Sequence, residues 1–596
     1  MLFRSIVLSA LCVLTGAQAV RAEEKPARIF MGLASADRLI EDLQYIVVDL
    51  AGEKEQWEKN VLPNIEVFLI GVTTDKPVRM DTVIDAAEGK RSVFVIPVEK
   101  GNLKEFLEDN LAPIGIDAKR TKTDKALYEL TGDVLPEVPW WLRHAFEYVT
   151  ITRTQADVPA TIADPQEANA VHFESDPSYD IAVQLLTTKD DVPSRKKAIE
   201  KLRSESDGNL KTANEGESDA AFQLRKALAN QQLDTMDQIF VQSQELFFGW
   251  ITDPKAKSAR GTIRFAALEG TKLFEAGSDL GTKPSYFAGI PEAEDPVLKG
   301  RITLNLGAQS QKRIAEIAKL SGPVAHEKID KKEGITAEQK AARKAIMTTL
   351  LTLLEKNASL GVLDAFGELT AQSGGKHVFV AGLRANEGAA IKEIVEQLPK
   401  SDSQWVTKAN VEKIGDVEVH HIQNTKPSDV VKDFWGTGDI YIAAGPESVW
   451  IAKGQGSLEV LKTYVEKQKG TPDMANMHRF ASLRMHAKPI LYINESFWEE
   501  LDIDLKKLIQ SSGLMPKKKE AKATVGRDGK KQSTADKLKN YDWADPALKA
   551  MEGKVDVIDI VLDHDDNKVN GMVDIQVEVL KALGTVIADF AKKNLQ

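Results

Sequence analysis

The feature that most constrains the fold of this chain is a unit that recurs along it: an alternating strand, a short polar turn and an amphipathic helix. Its two clearest copies are SVFVIPVEKGNLKEFLEDNL, from Ser92, and HVFVAGLRANEGAAIKEIVEQL, from His377. Both strands have a Val-Phe-Val core, and both helices carry a similar segment, KEFLE in one and KEIVE in the other. An alternating strand buries one face, and a helix with apolar residues three and four positions apart covers that face. The repetition therefore predicts layered α+β modules.

The connections between neighbouring strands favour antiparallel pairing. GDIYIAAG (438–445) is joined to ESVWIAKG (447–454) through a single proline, as in a hairpin. Near the end of the chain, VDVIDIVLD (555–563) and GMVDIQVEV (571–579) flank a polar turn and precede a helical pattern. The predicted fold class is α+β, with repeated strand-helix-strand modules, mainly antiparallel sheets covered by helices, and long interdomain helices.

Two long helical patterns interrupt the modules. One begins after Thr336, a plausible N-cap, and repeats apolar residues every four positions. The other runs from Asp219 to about Trp250. Both have charged opposite faces, so we expect them to pack between modules and not against a membrane.

These patterns divide the chain into seven segments. They are a signal peptide (1–22), α+β module 1 (23–203), a linker (204–219), a helical region with α+β module 2 (220–370), α+β module 3 as an internal repeat of module 1 (371–514), a basic flexible loop (515–540), and a C-terminal β-hairpin and helix (541–596).

The first 22 residues have the pattern of a secretory signal peptide. Arg4 precedes an apolar run, and small residues that suit cleavage after Ala19 or Ala22 follow it. The run of about 13 residues is shorter than the roughly 20 that a membrane span requires. The only cysteine, Cys12, lies inside this segment, so the mature chain has no disulfide. We expect an exported protein, periplasmic or extracellular after cleavage, with no transmembrane segment in the mature chain.

The charge balance argues against nucleic acid as a partner. The chain carries a formal net charge of -11 at pH 7, although the loop at 515–540 has seven basic residues between Lys517 and Lys531. That loop could dock on an anionic surface or on a second copy of the chain, although such segments are usually solvated.

The adjacent histidines His420 and His421 are a candidate binding site. They end the alternating run VEVHHI, and neighbouring side chains on a strand point to opposite faces. The pair therefore cannot chelate one metal ion by itself. A ligand role would need partners from other strands, and the alternative is a half-buried histidine with a hydrogen-bond partner.

The segment DHDDN is the candidate cation site, because it places Asp563, Asp565 and Asp566 in one turn. Calcium binds oxygen ligands from loops of this kind. The segment lacks the central glycine and terminal glutamate of a calcium loop, and aspartate is also common in hairpin turns. Calcium is the one cofactor that the sequence suggests, and a plain turn is the alternative.

Trp140 and Trp141 form the third candidate site. Two adjacent indoles could stack on a sugar or a peptide, or they could plug an interface between domains. Motifs for catalysis are missing: there is no Gly-x-Ser-x-Gly elbow, and His326-Glu327 lacks the second histidine of a zinc-hydrolase helix. The sequence therefore nominates no catalytic residue.

The mature chain resembles a loose group of exported bacterial proteins of unknown function that are built from repeated α+β modules. The resemblance is carried by the signal segment, by the units around VFVIPV and VFVAGL, and by GVTTDKP (71–77). It implies an architecture and a location, and it implies no catalytic residues.

These observations favour an exported, non-catalytic binding or scaffold protein of the bacterial envelope, with a protein partner or self-association. The alternative is a periplasmic hydrolase or ligand carrier with a site in a cleft between modules. A surface protein stabilised by a cation is the third hypothesis.

Overall fold

The computed structural model describes most of the chain after the predicted signal peptide. The described residues are 27–85, 89–132, 134–135, 139–158, 173, 178–281, 284–290, 293, 295–468, 479–489, 544–551, 555–565 and 568–594. The signal peptide and the basic loop at 515–540 lie outside them.

The structure mixes helices and strands and is 43% helical and 32% strand. The strands are β1 Ala27–Leu33, β2 Val78–Asp85, β3 Gly89–Pro97, β4 Asp117–Arg120, β5 Leu127–Thr131, β6 Trp140–Ala145, β7 Tyr148–Thr152, β8 Ile181–Leu186, β9 Ser243–Asp253, β10 Ser258–Ala267, β11 Leu298–Asn305, β12 Val362–Ala371, β13 His377–Arg384, β14 Trp405–Ile414, β15 Val417–Asn424, β16 Asp439–Ala444, β17 Ser448–Lys453, β18 Arg479–His486, β19 Val557–Asp565 and β20 Lys568–Gln576.

The longer helices are α1 Ala36–Gln44, α2 Val192–Leu210, α3 Asp219–Gln242, α4 Lys272–Ser278, α5 Ala308–Lys331, α6 Ala337–Ala358, α7 Ile391–Ser401, α8 Asp429–Trp435, α9 Ser457–Lys467, α10 Ala544–Ala550 and α11 Val577–Asn594. Shorter helical segments are Tyr45–Leu50, Lys54–Gln56, Trp57–Val61, Leu62–Glu66, Leu103–Glu105, Phe106–Leu111, Ala112–Ile114, Gln155–Asp157, Lys189–Asp191, Ser373–Gly375 and Gly388–Ala390.

All of these strands belong to one sheet, and every pairing between neighbours is antiparallel. The spatial order is β4-β5-β6-β7-β3-β2-β1-β8-β9-β10-β20-β19-β18-β11-β12-β13-β17-β16-β15-β14. The predicted α+β class with antiparallel pairing is therefore confirmed.

The order of the strands is equivalent on the two sides of the central pair β10–β20, when each side is followed from the centre to its edge. Each strand on one side has a counterpart, numbered ten higher, at the same distance from the centre on the other side. The two Val-Phe-Val cores of the sequence lie on the counterpart strands β3 and β13.

Helices cover the sheet near its ends and at its centre. The segment Phe106–Leu111 packs on β6 and β7, and α7 packs on β15 and β16. At the centre, Leu580 of α11 and Ile46 cover Trp250 of β9 and Ala259 of β10. The C-terminal helix also contacts the segments that follow α1, so it holds the N-terminal helices against the central strands.

Both hairpins that the sequence predicted are present, as β16–β17 and as β19–β20 with α11 after them. Thr336 caps α6: its Oγ1 accepts the N–H of Gln339 at 3.1 Å. The predicted linker at 204–219 is shorter than expected, because α2 continues to Leu210 and Ser218 already caps α3.

The second long helix ends at Gln242 and does not reach Trp250. Residues 243–253 form β9, which pairs with β8 on one side and β10 on the other. The run LFFGWIT is rich in aromatic and β-branched residues, which suit a strand with neighbours on both edges. The helical interpretation was wrong because apolar residues on both faces of a buried strand also match a helical spacing.

Candidate functional site

A pocket lies where α1 begins, beside the last residues of β9. Its volume is about 460 Å³, and it is open to solvent. The lining residues are Ser35, Asp37, Arg38, Glu41, Asp42, Asp75, Thr252 and Pro254. Four of them are carboxylic acids and one is an arginine, so the pocket attracts positive charge. We call it the acidic pocket.

The start of α1 places the pocket's side chains. Ser35 caps the helix, since its Oγ accepts the N–H of Arg38 at 3.0 Å. The N–H of Asp37 donates to the carbonyl of Thr74 at 3.0 Å, which ties the first turn to the segment before β2. Arg38 and Asp42 are four residues apart and therefore lie on the same side of α1.

Asp180, the residue before β8, is buried behind the pocket lining, where it contacts Arg38 and Thr252. Its N–H donates to the carbonyl of Trp250 at 2.8 Å, and its carbonyl accepts the N–H of Ala34 at 2.9 Å. Its side chain accepts the N–H of Thr252 at 2.5 Å and pairs with the guanidinium of Arg38. Asp180 is 3% exposed, and its contacts come from Ala34, which follows β1, from β9 and from α1.

Asp42 and Asp180 are two buried acids, the carboxyl pair, and they lie close enough for the charge of one to act on the other. Burial, and then the charge of Asp180, raises the pKa of Asp42 to about 7, and Arg38 opposes that rise. Burial also raises the pKa of Asp180, against the hydrogen bond from Thr252 and the charge of Arg38. The pKa of Asp42 therefore lies near neutral pH, and Asp42 keeps its proton below that value.

This arrangement can do two kinds of chemistry. The ionised carboxylates around the pocket can bind a cation, and Asp42 can give up its proton as the cation arrives. A protonated carboxyl beside an ionised one is also the arrangement that general acid–base catalysis uses.

Trp140 and Trp141 lie on opposite faces of β6. Trp140 is 6% exposed and packs in the core with Phe94, at a ring-centroid distance of 6.4 Å. Trp141 is half-buried and pairs with Thr152 of β7. The structure therefore does not bring the two indoles together as one stacking surface.

His420 and His421 likewise point to opposite faces of their strand, β15. His420 is buried, and its Nδ1 accepts the N–H of Asn410 at 3.1 Å. His421 lies 2.8 Å from Asp439, between its Nε2 and Oδ1, and its ring stacks on Tyr441. Because β15 is second from one end of the sheet and β6 is third from the other, the histidines and the tryptophans are separate sites.

Asp563 and Asp565 lie near the end of β19, and Asp566 lies outside the described residues. Asp563 pairs with Arg479 of β18, at 3.5 Å between Nε and Oδ1. Within the part of the chain that the structure describes, no three His, Cys, Asp or Glu side chains are grouped so that they could hold a metal ion. Calcium at this hairpin stays a prediction.

Sequence reasoning missed the acidic pocket. Asp42 and Asp180 are 138 residues apart and belong to no spacing motif. Asp180 stands directly before the apolar strand IAVQLL, which places a charge at the edge of a core. That signal is weak by itself, because aspartate before a strand is usually a turn residue.

Comparisons of the chain with protein-family models, with curated proteins and with solved structures each gave no match. The acidic pocket must therefore be interpreted from its own geometry. Across the described ranges, no helix combines the length and the apolar character needed to cross a membrane.

Proposed function

We propose that this chain is an exported, non-catalytic binding protein, and that its acidic pocket binds a compact organic cation such as a primary amine or a guanidinium compound. The observation that carries the proposal is the lining of the pocket, to which Asp37, Glu41, Asp42 and Asp75 contribute four carboxyl groups. The volume of about 460 Å³ lies in the usual range for small-molecule sites.

The charge of Arg38 does not cancel that of the pocket. Its guanidinium pairs with Asp180 and lies 3.4 Å from Ser178 Oγ, and its single positive charge faces three other acids of the lining, Asp37, Glu41 and Asp75. Glu41 and Asp37 are exposed and keep their charge at the entrance. A cation would therefore meet uncompensated carboxylates first, which speeds its association.

Calorimetric titration of the full mature chain tests this function. We expect a diamine and a guanidinium compound to bind, and a neutral polyol of similar size not to bind. Glu41→Gln and Asp75→Asn should each weaken cation binding, by about tenfold if each removes one charge contact worth about 1.4 kcal/mol. Glu466→Gln, an exposed carboxylate next to the end of α9, is the matched control. Equal binding by all four proteins would refute the proposal.

The second candidate function is hydrolysis, in the same pocket. It is favoured by two neighbouring buried acids, Asp42 and Asp180, both of whose pKa values burial raises. Turnover in a broad panel of hydrolase substrates that disappears in Asp180→Asn would select it over binding. No turnover, together with cation binding, would select the first candidate.

We also propose export to the periplasm or the exterior, with a protein partner or self-association at the envelope. The sequence of residues 1–22 supports export. The edge strands disfavour contacts through the sheet ends, because β4 is short and β14 carries a bulge and two exposed lysines, Lys408 and Lys413. Partners would then use the faces of the sheet. N-terminal sequencing of the native protein tests cleavage after Ala19 or Ala22, and Met1 as the native N-terminus would contradict export.

We infer further that the two halves of the sheet come from one duplicated unit of ten strands. The counterpart order of the strands and the Val-Phe-Val cores on β3 and β13 support this inference. The second unit then begins with β11, near Leu298, and not at residue 371 as the sequence suggested. An experimental structure in which counterpart strands do not superpose would contradict it.

A further inference from the structure

One face of the sheet carries a row of apolar residues that crosses ten neighbouring strands, from β1 to β13. Residues directly opposite each other in an antiparallel register lie on the same face of the sheet. When the register is followed from strand to strand, each partner in this row is apolar. The row, which we call the apolar strip, is Met31, Val183, Phe248, Ile263, Gly571, Leu562, Ala481, Ile302, Ala365 and Leu383.

A second row on the same face, two residues away on each strand, is apolar as well. The opposite face of the central strands is charged, because Arg260 pairs there with Asp574, and Arg484 pairs with Asp559. The charged face is therefore the one that suits water, and the apolar face needs an apolar cover. The second row is Leu33, Ile181, Trp250, Gly261, Val573, Ile560, Leu483, Gly300, Gly367 and Ala381.

The apolar strip is open to solvent along its length. Every side chain in it is at least partly exposed. Four of them are more than a third exposed, namely Leu383 by 42%, Met31 by 39%, Phe248 by 37% and Ile263 by 36%. These four lie on β13, β1, β9 and β10, so the exposure occurs in both halves of the sheet.

Glycines lower the surface beside the strip. Gly261, Gly300 and Gly367 belong to the second row, and the atoms nearest to an added Cβ at each of them all belong to neighbouring strands. At Gly300, for example, the nearest atom is Cδ1 of Leu483 on β18, at 3.5 Å. The missing side chains therefore leave a recess that follows the strip across the sheet.

Packed helices border the strip on both sides at β9. Leu246, two residues before Phe248, belongs to the cluster that includes Phe240 of α3. Trp250, two residues after Phe248, belongs to the cluster of Leu580 of α11. The open strip is therefore one residue wide at this strand, or about 7 Å. An α-helix with its side chains is about 10 Å wide, so a helix does not fit there.

We propose that the apolar strip binds one long acyl chain, that of a free fatty acid, laid across the strands. Ten strands at a spacing of about 4.8 Å make the strip about 43 Å long. An acyl chain spans about half of the roughly 30 Å core of a bilayer, so the strip is long enough for it. Neither row holds a charged side chain, which matches a ligand that is uncharged along its length. The carboxylate of the fatty acid stays outside the strip, in water. This site goes beyond the proposed function, since it does not involve the acidic pocket.

Fluorescence titration of the full mature chain with cis-parinaric acid, a fatty acid with a conjugated chain, tests the site. We expect saturable binding that palmitic acid competes away. Phe248→Glu and Leu383→Glu each place a carboxylate in the strip, so each should weaken binding by at least about tenfold. Met572→Glu is the matched control and should keep the affinity, because Met572 is also 37% exposed but lies on the charged face, opposite Thr262.

A brominated fatty acid locates the ligand without a charge in the strip. Bromine quenches tryptophan at short range, so the unmutated chain should lose fluorescence. Trp250→Phe removes the indole beside Phe248 and should lose clearly less of it.

Three results would overturn the proposal: no binding of either fatty acid, equal weakening by Met572→Glu and Phe248→Glu, or equal quenching in Trp250→Phe. Two further results would assign the strip to another occupant and overturn it as well. One is binding of phosphatidylglycerol vesicles without binding of palmitic acid. The other is a dimer of the chain that Phe248→Glu dissociates.

Discussion

The Nδ1 atom of His420 accepts a hydrogen bond from the backbone N–H of Asn410, at a distance of 3.1 Å. Asn410 has a positive φ of 53° and lies in the bulge where β14 slips against β15, between Lys408 and Glu412. His420 is 1% exposed, and burial lowers its pKa below the usual value. The buried ring is therefore neutral at pH 7, and its Nδ1 accepts a backbone N–H that the bulge leaves without a partner in the β-ladder.

Replacement of His420 by phenylalanine should change the acid stability of the protein. An unfolded histidine has a pKa of about 6.5, so the unfolded chain takes up the proton first as the pH falls. The stability that neutral His420 contributes is present above that value and is lost below it. His420→Phe should therefore lose less free energy of unfolding between about pH 7 and about pH 5, measured by urea denaturation.

The same variant removes the acceptor of the Asn410 N–H, so it should lower the free energy of unfolding by about 1 kcal/mol at neutral pH. His421→Phe is the matched control, because His421 is half-buried on the opposite face. An acid sensitivity of His420→Phe equal to that of the unmutated chain would show that His420 titrates normally.

The sequence predicted the local elements of the fold better than their assembly. The hairpin of β16 and β17 follows from alternation and a short turn, and the cap at Thr336 follows from local hydrogen bonding. Both depend on neighbours in the sequence. The pairing of β10 with β20 joins strands about 310 residues apart, and no local pattern encodes it.

The acidic pocket could not be predicted from the sequence for the same reason, because no local pattern encodes it. The acidic pocket exists because α1, the entry to β8 and the end of β9 meet in space, and each contributes an ordinary aspartate or threonine. The residues that did stand out in the sequence, such as Trp140 and His420, are mainly core residues. Aromatic rings and histidines are conspicuous by type, whereas the carboxyl pair is unusual only in its surroundings.

Gly249 on β9 allows Tyr179 to pack against the strand. A Cβ at this position would lie 2.3 Å from two ring atoms of Tyr179, which is 4% exposed and packs on Phe247. Gly249→Ala should therefore lower the free energy of unfolding by about 1–3 kcal/mol. Because Asp180 follows Tyr179 directly, we expect the variant to loosen the acidic pocket as well.

Gly277→Ala is the control for that substitution. Gly277 lies in α4 with no atom within 4 Å of the added Cβ, so the change should stabilise the helix by about 0.5–1 kcal/mol. Thermal melting of both variants gives the comparison. A neutral Gly249→Ala would mean that the Tyr179 ring moves aside freely.

Arg195 is a buried cation that contacts one carboxylate and three backbone carbonyls. It is fully buried, its Nε lies 2.7 Å from Asp191 Oδ1, and it donates to the carbonyls of Phe240, Ser243 and Thr188. It thus joins the start of α2 to the end of α3. Arg195→Leu should cost about 3–5 kcal/mol, because it leaves Asp191 buried without its counter-charge.

Neutralising Asp191 as well separates the cost of the unpaired charge from the cost of the lost packing. In Arg195→Leu with Asp191→Asn, the amide oxygen can still accept the N–H of Thr188, which Asp191 accepts at 2.8 Å. The double variant should recover part of the loss in chemical denaturation. If it is less stable than Arg195→Leu alone, then lost packing, and not the unpaired charge, dominates.

Trp140 and Trp141 should differ sharply in their effect on stability, although they are adjacent and chemically identical. Trp140 packs among Leu130, Leu142 and Val149 beneath Phe106–Leu111, and Trp140→Ala should cost about 3–5 kcal/mol. Trp141 is half-buried on the other face, where it lies opposite Glu129 and Thr152, so Trp141→Ala should cost clearly less. Urea denaturation of the two variants measures the difference. Similar losses would mean that Trp141 is covered in solution, and that a protein partner or another part of the chain packs on that face.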